Sequence, residues 1–132
     1  METDDLKSLQ SAILTIADKW KDIMGLQDWN IDIKFDEPQF KATSEAEPRY
    51  KYLKLFFNPW RIAKEPEDLE ELVVHELSHA FTWRIWELTE KLFGGDMNKW
   101  ILDELHEEAT TSISRALVMA HREGLAQAQQ ES

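Results

Sequence analysis

Five residues constrain this chain more than any others. His75-Glu76-Leu77-Ser78-His79 lies in a stretch whose apolar residues, Leu69, Leu72, Val73, Leu77, Ala80 and Phe81, recur at helical spacing. The stretch follows Pro66 and opens with Glu67, Asp68, Glu70 and Glu71, where the helix macrodipole favours acids. It runs toward Phe93, where Gly94-Gly95 is expected to stop it. Two histidines four apart on a helix project from adjacent turns of one face. Two imidazole nitrogens so placed reach one Zn²⁺ at about 2.0–2.1 Å each. Glu76 points to the side of that face, within reach of a water on the ion but not of the ion itself. Zinc lowers the pKa of such a water from about 15.7 to about 7, and the carboxylate can take its proton as it attacks a carbonyl. Val73, Val74 and Leu77 make the surroundings apolar.

A hydrolytic zinc site needs a third protein ligand and an open position. No histidine occurs between Phe81 and Gly95, which excludes the H-x-x-G-x-x-H continuation of the metzincins. The remaining donors are Asp103, Glu104, His106, Glu107 and Glu108. A carboxylate that ligates must come close to the metal helix, so its neighbours at +3 and +7 should be small. Glu107 has Thr110 and Ser114 there and is favoured. Glu108 has Thr111 and the repelling Arg115. His106 has Ala109 and Ile113, and stands as a ligand, an orienting donor or a buried histidine. A solvated acidic start to the last helix is the plain alternative for all three.

The rest of the chain reads as α+β. A helix is expected from Asp4 to Met24, on the spacing of Leu6, Leu9, Ile13, Ile16, Ala17 and Trp20, with Thr3 or Asp4 as cap and Gly25 as stop. Trp29 to Phe35 alternates apolar and polar residues as a half-buried strand closed by Pro38. Residues 39 to 48 read as a weaker strand or a loop ending at Pro48. Tyr50 to Phe57, bounded by Asn58-Pro59, reads as a strong strand with one wet face. The final helix is expected from about Asn98 to His121, with Leu102, Leu105, Ala109, Ile113, Ala116 and Ala120 as its apolar stripe, before a frayed polar end at Gln127 to Ser132. The aromatic residues Trp83, Trp86, Phe93 and Trp100, in the segment 83–100, are expected to pack in the core, with a substrate-binding wall as the alternative.

At 132 residues, the chain is expected to form one domain, residues 1–132. A net charge of −11 argues against nucleic acid and anionic membranes as partners, and favours either a plain solvated surface or basic partners. There is no cysteine, hence no disulfide and no cysteine-held zinc. No apolar run approaches a membrane span, and Met1 to Lys7 lacks the basic-then-apolar order of a signal peptide. A cytoplasmic protein is the expectation.

The His75–His79 helix, followed by a helix bearing Glu107, Thr110, Ile113 and Ser114, resembles the gluzincin arrangement of zinc metallopeptidases, in which a glutamate from a second helix completes the site. From about Trp29 to Leu117, the order of elements is similar to small phage- and mobile-element-associated metallopeptidases. Those have an N-terminal helix, a short curled sheet of about three strands, the H-E-x-x-H helix and a closing helix with the third ligand. The resemblance implies Zn²⁺, a protein or peptide substrate, and peptide-bond hydrolysis with Glu76 as general base. It leaves His106 and Tyr52 as candidate oxyanion donors. By the same analogy, the strand Tyr50 to Phe57 could lie along the cleft and pair with an extended peptide; a plain core strand with a wet face is the equal alternative. A catalytically silent binding or inhibitory protein on the same scaffold is the alternative function, and a structural domain with an accidental motif is a third.

Overall fold

A computed structural model describes residues 3–36, 40–93 and 99–131. The elements are α1 (Thr3–Ile23), β1 (Asn30–Phe35), β2 (Ala42–Glu47), β3 (Tyr52–Phe57), α2 (Pro59–Lys64), α3 (Leu69–Phe93) and α4 (Lys99–Glu131). A 3₁₀ turn at Pro48–Tyr50 joins β2 to β3. The fold is α+β, with an open three-stranded mixed sheet. Pro38, Gly94-Gly95 and Asn98, expected as element boundaries, lie outside the described residues.

Gly25 ends α1 for a backbone reason. Its φ is +71°, a left-handed value that a side chain resists. The amide of Gly25 then bonds Asp22 O at 3.2 Å, and that of Leu26 bonds Lys21 O at 2.9 Å. These are the two bonds of a Schellman cap, and they satisfy carbonyls the helix end would otherwise orphan. Asn58-Pro59 does more than end a strand. Asn58 Oδ1 accepts from the Arg61 amide at 3.1 Å and Pro59 takes the first helical position, so α2 begins there.

The sheet order is β1-β3-β2, with β3 parallel to β1 and antiparallel to β2. β3 holds the centre because its inner row, Leu53, Leu55 and Phe57, is fully buried. Both its edges are therefore used, which corrects the expectation that it lies open along a cleft. The free edge on that side is β2, the segment that read as weak strand or loop.

Val73, Val74 and Leu77 of α3 and Ile13, Ala17 and Trp20 of α1 complete this core. Each fully buried aliphatic side chain contributes about 1.5–3 kcal/mol over exposure. Glu70 ties the helices together at the rim. It accepts from Lys19 Nζ at 2.8 Å and Trp20 Nε1 at 3.0 Å in α1, and from Arg122 Nε at 3.2 Å in α4.

α4 departs from its expected pattern in two ways. It continues to Glu131, through the polar end expected to fray, on alanine and glutamine that sustain a helix. Of the expected stripe only Leu102 is buried; Leu105 is 51% exposed. The face against α3 carries His106, Thr110, Ser114 and Val118 instead. Among the described residues, no helix is long and apolar enough to cross a membrane.

Candidate metal centre

α3 and α4 run antiparallel, as their contacts show. His75 meets Glu107 and Thr111, His79 meets His106, and Trp86 meets Asp103. Small polar residues line the seam. Ser78, Thr82, Thr110 and Ser114 are all buried. They satisfy themselves: Ser78 Oγ donates to Val74 O at 2.7 Å, Thr110 Oγ1 donates to His106 O at 2.8 Å, and the Thr82 and Thr110 hydroxyls meet at 2.9 Å. Short side chains here let the two helix backbones approach.

That approach delivers Glu107 to the histidines. Its Oε2 lies 3.0 Å from His75 Nε2, and its Oε1 lies 3.3 Å from His79 Nε2. One ligand atom from each of the three residues lies within 4.8 Å of the others. Two donors on a tetrahedral ion with bonds of 2.0–2.1 Å are separated by about 3.3 Å. The two His–Glu spacings are of that size, and His75, His79 and Glu107 could hold a metal ion. Glu108 is exposed and does not line the cleft, and His106 contacts His79 rather than joining the triad.

α4 also sets the ring orientations. His79 Nδ1 lies 3.2 Å from His106 Nε2, and His75 Nδ1 lies 3.4 Å from Thr111 Oγ1. Both ligand rings thus turn Nε2 toward Glu107 and Nδ1 toward α4. For His79 Nε2 to offer a lone pair to a cation, its Nδ1–H must donate, and His106 Nε2 must accept. Thr111 and the His106 role follow from position: they flank Glu107 at +4 and −1 on one helix. The row Thr110/Ser114 marks Glu107 in the sequence; the signal missed was its matching small polar row on α3, Ser78 and Thr82.

Glu76 sits beside the triad, 5% exposed. Ser44 of β2 lines the same cleft. Glu76 Oε2 has no partner among the described residues, although it is buried and lines the cleft. An orphaned carboxylate oxygen is costly unless a water or ligand proton fills the place. Burial pushes the Glu76 carboxyl above its usual range, while His79 and His75 pull it partly back. Glu107 behaves oppositely: hydrogen bonds from His75 and His79 outweigh burial and hold it well below the usual range. Burial opposes charge on His75, but Glu107 and Glu76 raise it overall. Burial and the neighbouring His79 lower His106.

The centre opens into a cleft of about 780 Å³ lined by β2, α3 and α4. Trp83 and Trp86 form part of its wall; Trp83 also packs on the core, but Trp86 does not, which corrects the core expectation for it. Trp100 is 60% exposed, another departure, and the Phe93 side chain lies outside the described residues. Tyr52, in the central strand, does not line the cleft, whereas His106 does. No protein-family model, curated protein or solved structure matches this chain, so the chemistry of the centre is read from its own geometry.

Proposed function

We propose that this protein is a zinc-dependent metallopeptidase of the gluzincin-like type. The observation that carries the reading is the convergence of His75, His79 and Glu107 beside a buried, unpartnered Glu76 oxygen. The donor set is two nitrogens and a carboxylate, without sulfur, which suits zinc. Bound there, zinc would supply Lewis acidity, making a water nucleophilic near neutral pH and polarising a carbonyl.

The chain's own groups do the rest. Glu76 Oε2, buried beside the triad and lining the cleft, would accept the proton of the attacking water and pass it to a leaving amine. Glu107 and the two histidines stay fixed because His106, Thr111 and the tight seam hold them. Ala42, Thr43 and Ser44 of β2 line the cleft, and among the described residues β2 has a free edge. Its main-chain groups suit an extended peptide adding as a fourth strand. This favours a peptide substrate over a small molecule.

The test is hydrolysis of a complex peptide mixture followed by mass spectrometry. The zinc-loaded chain is expected to cleave, and Glu76→Gln is expected to keep its zinc and lose cleavage by a factor on the order of 10² or more. A Glu76→Gln protein that cleaves at the wild-type rate would remove the proposed base.

A further inference from the structure

The cleft is not chemically uniform along its length. At one end, one and two helical turns beyond His79, Trp83 and Trp86 stand with ring centroids 5.6 Å apart. His106 closes the group, 5.8 Å from Trp83 and 6.1 Å from Trp86. Asp103 stands at the rim. Its Oδ1 accepts from Trp86 Nε1 at 3.1 Å. All four residues line the cleft.

We propose that this end is a subsite for a cationic side chain, lysine or arginine, of the peptide substrate. The proposal rests on the peptidase reading above and names the class of residue that site selects.

Two features argue for a cation rather than an apolar side chain. First, indole faces attract cations, and they do so best where a carboxylate adds a charged acceptor at the rim. The bond from Trp86 to Asp103 fixes ring and carboxylate relative to each other, so the pair is preorganised. Second, among the described residues no lysine or arginine lines this end of the cleft. The two cations that line the cleft lie elsewhere. Lys41 is paired with Glu67 at 2.9 Å. Arg115 is twelve residues along α4 from Asp103, roughly 18 Å at 1.5 Å per residue. A net charge of −11 on the chain further favours basic segments on approach. Trp83 lies about 6 Å along α3 from His79, and an extended peptide advances about 3.3 Å per residue. Trp86, to which Asp103 is bonded, lies about 10 Å along, so the cation would fall about two to three residues from the bond that is cut.

The experiment uses the full chain as Glu76→Gln, loaded with zinc so that peptides bind without turnover. Probes are acetylated, amidated peptides scanned with lysine, norleucine or glutamate at each position, read by tryptophan quenching and calorimetry. At one position lysine is expected to bind about tenfold tighter than norleucine, with glutamate weakest. Asp103→Asn, at an exposed position, is expected to remove most of that preference with zinc content unchanged; Trp86→Leu is expected to do the same. Equal affinity for lysine and norleucine at every position, no binding by any peptide, or a preference that survives Asp103→Asn overturns the subsite. Cleavage by the wild-type chain, measured on the same peptides, separates the two claims. Hydrolysis without a lysine preference leaves the peptidase reading standing and removes the subsite. Lysine-selective binding without hydrolysis does the reverse.

Discussion

His79 Nδ1 lies 3.2 Å from His106 Nε2, so one histidine of the centre is oriented by another rather than by a carboxylate. A neutral acceptor fixes the ring without adding negative charge to a site already flanked by Glu76 and Glu107. His106→Ala is expected to weaken zinc binding about 10–100-fold, and His106→Asn to restore part of it through its amide oxygen. Competition with a chromophoric chelator measures both. An alanine variant that binds zinc like the wild type would show that His106 only fills space.

The seam between α3 and α4 sets the reach of Glu107. Ser114 is buried there, and Leu would force the helices apart. Ser114→Leu is expected to cost about 1–3 kcal/mol in denaturant unfolding. It should also lower zinc affinity more than tenfold, because a carboxylate displaced by about 1 Å no longer meets both imidazoles. Unchanged affinity in a folded variant would contradict the close approach.

Glu70 links acid stability to the helix packing. Its side chain is 17% exposed. Burial alone would raise its pKa, yet the bonds from Lys19, Trp20 and Arg122 prevail and hold it at about 2, against 4.5 ordinarily. A carboxyl depressed in the folded state contributes stability that is complete above the ordinary value and is lost as pH falls from 4.5 through 2. Lys19 and Arg122 are nearly half exposed, so screening reduces the effect. Glu70→Gln is expected to cost about 1–2 kcal/mol at pH 7. In urea unfolding the gap between variant and wild type should narrow steadily toward pH 2. A gap independent of pH would contradict the assignment.

Zinc should stabilise the fold by binding it and not the unfolded chain. At a free concentration of 100 Kd the expected gain is about 2.7 kcal/mol, seen as a rise in Tm that a chelator reverses. Glu107→Ala should lose most of the rise at the same zinc concentration. A full rise in that variant would place the ion elsewhere.

Local signals carried much of this fold. The periodicity of Leu6 to Trp20, the left-handed need at Gly25 and the alternation in β1 and β3 are properties of neighbouring residues, and each element forms where they indicate. The juxtaposition of Glu107 with the two histidines was also legible, because Thr110 and Ser114 mark the close face of α4. Non-local choices were not legible. β3 pairs on both sides because its inner row seeks the deepest burial, and nothing within the strand states which neighbours it takes. The apolar stripe of α4 misled for a related reason. Leu105 and Ile113 stay exposed because the seam is built from hydroxyls and His106, whose hydrogen bonds to α3 outweigh a purely apolar match.

The most direct measurement is zinc K-edge X-ray absorption on the zinc-loaded 132-residue chain. The account predicts one ion per chain with a four-coordinate shell of two imidazole nitrogens and light oxygen donors at about 2.0–2.1 Å, and loss of the two-imidazole signature in His75→Ala. A shell of oxygens alone, or a two-imidazole signature unaffected by His75→Ala, would contradict it.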